Sequence, residues 1–204
     1  MSEGSELHPL VAEAAHGRLP DWAVAGKKRR EHMQRVAELL REWSTSRSES
    51  PIEVDRWTAL GFLHDVLRDA KPKDLRGSVP APMSHLPGGV LHGPAAATRL
   101  REGGVTDEAF LTAVAYHTIG SPDFGVVGKA LYAADFLEPG RKFRRKWRGG
   151  LRDTMPEELD AVVRTILSAR IRHLVDKKRP VRPETLGFWN MLVKGRSWVS
   201  ASEV

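Results

Sequence analysis

The sequence contains no cysteine. That absence excludes a disulfide framework, a thiolate metal site, an iron–sulfur cluster and a cysteine nucleophile. Any metal must therefore be held by histidine and carboxylate, and eight histidines are available. Long apolar runs are missing as well: none approaches the roughly 18 residues that a membrane-spanning helix needs. Met1 to Leu7 is polar and acidic, without the basic and then apolar pattern of a signal peptide. The expected location is the cytoplasm, with no membrane partner. Period-two alternation is also lacking. Gly125-Val126-Val127-Gly128 is too short for a strand, and a helical pattern follows at once.

What is present is a chain of 204 residues and 22.7 kDa, enough for one domain with a self-sufficient core. Subtracting 26 acidic from 32 basic residues leaves +6, with a pI near 9.8. Such a balance suits an anionic partner without saying whether it is nucleic acid, a nucleotide or a membrane surface. Apolar residues recur at steps of three and four: Val36, Leu39, Leu40 and Trp43; Leu60, Leu63 and Leu67; Leu111 and Val114; Leu159, Val162, Val163 and Ile166. This spacing predicts helices near 8–17, 27–45, 52–69, 90–102, 107–119, 124–136, 156–176 and 183–194. Asp107-Glu108, Pro156-Glu157-Glu158 and Pro183-Glu184 supply start signals, and Lys177-Lys178-Arg179-Pro180 separates the last two helices. Residues 71–91 carry four prolines and three glycines and read as a long loop, either a lid or a plain connector. The predicted fold class is all-α, a single-domain helical bundle.

Several of these helices place an ionisable group on the apolar face. His32 shares a face with Val36 and Leu39, His64 with Leu60 and Leu67, His117 with Val114, and Asp135 with Leu131 and Tyr132. A buried polar group without a partner costs on the order of 1–3 kcal/mol, and a charge far more. Any one such histidine is more often a satisfied core residue, and the dipeptide His64-Asp65 proves little alone. Their order is more informative. His32, His64-Asp65, His92 and His117 follow at intervals of about one helix plus one loop, and Asp135 comes 18 residues after His117. One donor per helix is how a metal site is built between facing helices, and imidazole with carboxylate suits a catalytic divalent ion.

The ordered set His…His-Asp…Asp resembles the HD-domain metal-dependent phosphohydrolases. Tyr116-His117-Thr118-Ile119-Gly120, Lys129-Ala130-Leu131-Tyr132-Ala133-Ala134-Asp135 and Glu138-Pro139-Gly140-Arg141 are similar to the bacterial YqeK-type proteins, symmetrical diadenosine tetraphosphate hydrolases. Arg30-Glu31-His32-Met33-Gln34-Arg35-Val36-Ala37, Leu91-His92-Gly93-Pro94 and Arg179-Pro180-Val181-Arg182-Pro183-Glu184-Thr185-Leu186 fit the same pattern. Two positions differ from it. Arg68 stands where lysine is usual, and Ile119-Gly120-Ser121 follows Thr118 where threonine, glycine and arginine are usual.

The resemblance implies an HD-domain helical bundle over 27–194, with an N-terminal extension, 1–26, and a tail, 195–204. It implies His32, His64, Asp65, His92, His117 and Asp135 as ligands of two divalent ions, with Asp65 the bridge and His64 and Asp65 the catalytic pair. Iron is the expected metal, and manganese, cobalt or magnesium suit the same donors. A hydroxide held between the ions would attack a central phosphorus, so diadenosine tetraphosphate would give two ADP. Arg68, Thr118, Lys129, Glu138 and Arg141 are the expected substrate contacts, and a homodimer is expected by analogy. Another HD-type activity, on a mononucleotide or a guanosine alarmone, is the nearest alternative. Arg141 to Arg148 is basic at all but Phe143 and Trp147. It reads first as a charged loop, and second as a single-stranded nucleic-acid contact in a non-catalytic RNA-binding protein with a vestigial metal site. His8, His16, His85 and His173 fall outside the motif order.

Overall fold

In the computed structural model, which describes residues 6–194, the three-four apolar spacing becomes α-helices and no strand forms among the described residues. In chain order these are α1 (Pro9–Ala15), α2 (Lys27–Ser46), α3 (Pro51–Leu63), α4 (Pro72–Leu75), α5 (His92–Glu102), α6 (Glu108–Tyr116), α7 (Val126–Leu137), α8 (Arg145–Arg152), α9 (Leu159–Asp176) and α10 (Pro183–Val193). Local chemistry explains several starts. Ser50 Oγ accepts from Glu53 N at 3.3 Å and Pro51 opens α3, while Asp107 Oδ1 accepts from Phe110 N at 3.0 Å to cap α6.

Helix α7 is the hub, packing against α2, α3, α6 and α9, while α5 lies on α6 and α10 on α9. Trp43, Trp57, Phe110, Tyr132 and Phe188 are fully buried in one continuous core. Helix α1 packs on α3 and buries Val11, Ala14 and Ala15 in that core, so residues 9–15 of the expected extension lie in the same body. The expected tail, 195–204, falls outside the described residues.

Two glycines bring metal-donor candidates together. A Cβ on Gly61 would lie 2.3 Å from Ala37 Cα, so only glycine lets α3 approach α2 this closely. At Gly93 it would lie 2.7 Å from Ala115 O, and there the same device seats α5 against the end of α6.

Helix ends differ from the sequence expectation for identifiable reasons. The helix expected to run to residue 69 stops at Leu63. Beyond it the backbone tightens into successive turns, and Val24 takes the backbone pairing: Val24 N donates to Val66 O at 2.8 Å, and Asp69 N to Val24 O at 3.3 Å. Residues 71–91 are pinned rather than free. They contain α4 and short 3-10 turns at Arg76–Ser78 and Ala81–Met83, and Leu75, Val79, Leu86 and Leu91 are buried. Of the basic segment expected as a charged loop, residues 141–144 are non-helical and Arg145 to Arg148 instead open α8. Arg148 Nη1 donates to Phe136 O at 2.7 Å with its guanidinium 4.2 Å from the Phe136 ring centre, and Arg152 Nη1 donates to Leu137 O at 2.5 Å. These cations satisfy carbonyls that the end of α7 leaves open.

Candidate metal centre

Six side chains from five segments converge in the bundle. His32 comes from the second turn of α2, His64 and Asp65 from the turn that ends α3, His92 from the first residue of α5, His117 from the C-cap of α6, and Asp135 from the last turns of α7. Ending α3 and α6 just before a histidine matters locally. His64 Nδ1 lies 2.9 Å from Gly61 O and His117 Nδ1 lies 2.8 Å from Val114 O, each a carbonyl three residues back. A carbonyl only accepts, so both Nδ1 atoms donate, and Nε2 is the acceptor of each ring in its neutral form.

Asp65 is the centre of the arrangement. Its Oδ2 lies 3.6 Å from both His32 Nε2 and His64 Nε2, and its Oδ1 lies 3.0 Å from His92 Nε2 and 3.4 Å from His117 Nε2. His32, His64 and Asp65 form one group able to hold a metal ion; Asp65, His92 and His117 form a second. Asp135 Oδ1 lies 3.2 Å from His32 Nε2, beside the first. His92 Nε2 and His117 Nε2 stand 3.0 Å apart, two imidazole nitrogens directed at one point.

Each carboxylate carries an arginine. Arg29 Nη1 lies 2.6 Å from Asp65 Oδ2, Arg141 Nη2 lies 2.5 Å from Asp135 Oδ1, and Arg35 Nε lies 2.6 Å from Glu138 Oε2. Sequence reading missed Arg29 and Arg35, although each sits one helical turn from His32, a spacing that was there to be used. It also missed Arg170, whose Nη2 donates to Thr118 O at 2.8 Å and whose guanidinium lies 5.0 Å from the Tyr132 ring centre.

Protonation follows from burial and charge. Burial pushes His64 down to about 4, with the charges of His117 and His32 adding to it and Asp65 opposing, so it is neutral at neutral pH. Burial likewise lowers His92. Burial would lower His32 too, but the nearby carboxylates of Asp135 and Glu138 outweigh that and raise it. Burial works against ionised Asp65, and the surrounding imidazoles hold it well below the usual carboxylate range. Burial opposes ionisation of Asp135 in the same way; His32 and Arg141 overcome it. Glu138 is held down at about 2, burial being outweighed by His32, Arg35 and the Gly140 N–H.

The residues expected at the substrate divide. Arg141 stands at the mouth, two-fifths exposed, on Asp135. Arg68 is exposed and near enough to His92 for its charge to be felt. Thr118 Oγ1 lies 3.1 Å from His117 Nε2. Glu138 is buried: Oε1 lies 3.4 Å from His32 Nδ1, and Oε2 accepts from Gly140 N at 2.7 Å, so it faces the histidine. Lys129 stands apart, its Nζ donating to Asp160 of α9 at 2.7 Å.

A family model described as the HD domain matches residues 29–167, which include all six convergent side chains. The chain belongs to the HD domain family. An HD domain implies a divalent metal, and these donors fit one: His32 Nε2 and His64 Nε2 are buried without a hydrogen-bond partner and face an ionised carboxylate, the condition of an imidazole ligand.

Relatives of this HD domain include the symmetrical bis(5'-nucleosyl)-tetraphosphatase of Halalkalibacterium halodurans, 32% identical over 105 residues, which are 51% of this chain and 55% of that protein. The enzyme of the same name from Bacillus subtilis is 36% identical over 96 residues, 47% of this chain and 50% of its own. The chain thus spans about half the length of the curated relatives it matches. A predicted HD superfamily hydrolase involved in NAD metabolism from Clostridium acetobutylicum has the same fold, with a TM-score of 0.72 and 23% identity over 90% of this chain and 95% of that one. No helix among the described residues is long and apolar enough to cross a membrane.

Proposed function

We propose that this HD domain protein is a metal-dependent phosphohydrolase that cleaves diadenosine tetraphosphate symmetrically to two ADP. The observation that carries the reading is the division of Asp65 between two imidazole pairs, with His32 and His64 on Oδ2 and His92 and His117 on Oδ1. In this reading His32, His64, Asp65 and Asp135 hold one divalent ion, and Asp65, His92 and His117 hold a second. Iron is the proposed metal, with manganese, cobalt and magnesium compatible with the same donors. When bound, a divalent pair supplies Lewis acidity and an activated water for displacement at phosphorus.

The chain's own residues do the rest. Asp65, ionised at neutral pH, is the proposed bridge, and neutral His64 beside it offers Nε2 as a donor because Gly61 O fixes Nδ1–H. Glu138 orients His32 through Nδ1, an indirect role that replaces the expected substrate contact. Arg141 and Arg68 supply fixed positive charge for a polyphosphate, with Thr118 as a hydroxyl beside His117. Lys129 is committed to Asp160 and is left out of this set.

Product identification tests the reading. Protein reconstituted with Fe(II), Mn(II), Co(II) or Mg(II) is incubated with diadenosine tetraphosphate and the nucleotides are resolved chromatographically. ADP as sole product is expected. AMP with ATP, or free pyrophosphate, would overturn symmetrical cleavage; turnover restricted to a mononucleotide or a guanosine alarmone would reassign the substrate.

A further inference from the structure

The segment between Arg141 and Arg148 holds a surface that the metal centre does not use. Lys142, Arg144, Arg145 and Lys146 are exposed and make no ion pair or side-chain hydrogen bond to another described residue. Phe143 stands 71% exposed among them. Arg144 is left-handed at φ 50°, a conformation that costs a non-glycine residue of order 1 kcal/mol and that turns the chain sharply into α8. Its guanidinium lies 5.6 Å from the Phe143 ring centre and 5.7 Å from that of Trp147. Arg144 to Trp147 line an open depression of about 590 Å³. By contrast Arg141 turns to Asp135 at the metal centre and Arg148 and Arg152 to the end of α7, so the surface is narrower than the basic run.

Cations alone would attract any polyanion. An exposed aromatic ring beside an unpaired guanidinium and flanked by further cations is more selective: bases stack on the ring while the phosphodiesters lie on the cations. A lipid surface fits less well, because one exposed ring among cations offers no contiguous apolar face to insert. We propose that Lys142 to Trp147 is a binding surface for single-stranded nucleic acid, with Phe143 as its stacking platform and Lys142, Arg144, Arg145 and Lys146 as its phosphate contacts. The surface is independent of hydrolysis at the metal centre.

Fluorescence anisotropy of the full chain with labelled ten-residue oligouridylate and oligoadenylate, at several salt concentrations, tests this. Binding should weaken with salt by a slope of about 0.7 per phosphate contact. Phe143→Ala should weaken binding about tenfold with that slope unchanged. The combined change of Lys142, Arg144, Arg145 and Lys146 to alanine should abolish binding. His64→Ala should leave it intact, and melting temperatures should show that the surface variants fold. Equal affinity of wild type and Phe143→Ala, or equal affinity for a blunt duplex, would reduce the surface to unspecific charge and overturn the proposal. So would tighter Phe143-dependent binding to phosphatidylglycerol vesicles, or displacement of the oligonucleotide by stoichiometric diadenosine tetraphosphate, which would return the surface to a membrane or to the substrate.

Discussion

Asp65 and Glu138 illustrate how differently two buried carboxylates are used. Asp65 is shared among four imidazoles, whereas Glu138 touches one of them and is otherwise held by Arg35 and the Gly140 N–H. In the proposed centre Glu138 therefore acts on a ligand rather than as one. Glu138→Gln keeps the shape and removes the charge behind His32 Nδ1. Metal affinity should fall about 10- to 100-fold, as outer carboxylates typically contribute, with little loss of secondary structure. Competition against a chelator measures this, and unchanged affinity would show that His32 needs no such support.

His64 carries a second prediction at this scale. Its proton affinity is depressed in the folded state to about 4, against about 6.5 unfolded. Above pH 6.5 both states are neutral there and the group contributes nothing to pH dependence. Between 6.5 and about 4 the unfolded chain binds a proton that the folded chain refuses. Stability of the metal-free protein therefore falls with falling pH, by about 1.4 kcal/mol per unit for each such proton. Urea denaturation of chelator-treated wild type and His64→Gln at pH 7.5, 6 and 5 compares the slopes. The variant should lose about one proton's worth; identical slopes would mean that His64 is not held neutral.

At the scale of elements, the centre depends on how closely the helices approach. Ala37 Cα fills the space a methyl would need at Gly61, and Ala115 O does so at Gly93. Gly61→Ala must separate α2 from α3, an overpacking expected to cost about 1–3 kcal/mol. Thermal denaturation should show a drop of several degrees, with metal affinity falling at the same time because His32 and His64 move apart. A variant as stable as wild type would contradict this close packing.

Much of this level was legible in the sequence. His32, His64, His117 and Asp135 were visible because an ionisable group on an apolar helical face breaks a periodic pattern. What escaped was non-local. Nothing in residues 64–69 announces that Val24, some forty residues earlier, takes their backbone bonds and ends α3 at Leu63. Helix α8 escaped because Gly149-Gly150 and repulsion among its like charges weaken local preference; Arg148 and Arg152 tie it to the end of α7 instead. Arg29 and Arg35 were one turn from His32, yet surface arginines are common and only the fold supplies their carboxylates.

Across the whole molecule, the lack of cysteine and the positive charge meet in one design. Donors come from separate segments around α7, so no single helix holds a complete set, and the assembled bundle precedes the site. Three carboxylates are balanced by three arginines before any metal enters. Four further cations, Lys142, Arg144, Arg145 and Lys146, face outward around Phe143. Because folding and donor assembly coincide, metal binding should stabilise the native state by mass action. Melting temperature should rise with added Fe(II) or Mn(II) in wild type and rise much less in His92→Ala; equal shifts would place the bound ion elsewhere.

The central claim is that Asp65 is shared between two divalent ions, and metal stoichiometry tests it most directly. Protein purified without chelator, reconstituted anaerobically with Fe(II) and freed of excess metal, should contain about two ions per chain by plasma emission. Asp65→Asn should contain less than one. Wild type saturating at one ion, or Asp65→Asn retaining two, would contradict it.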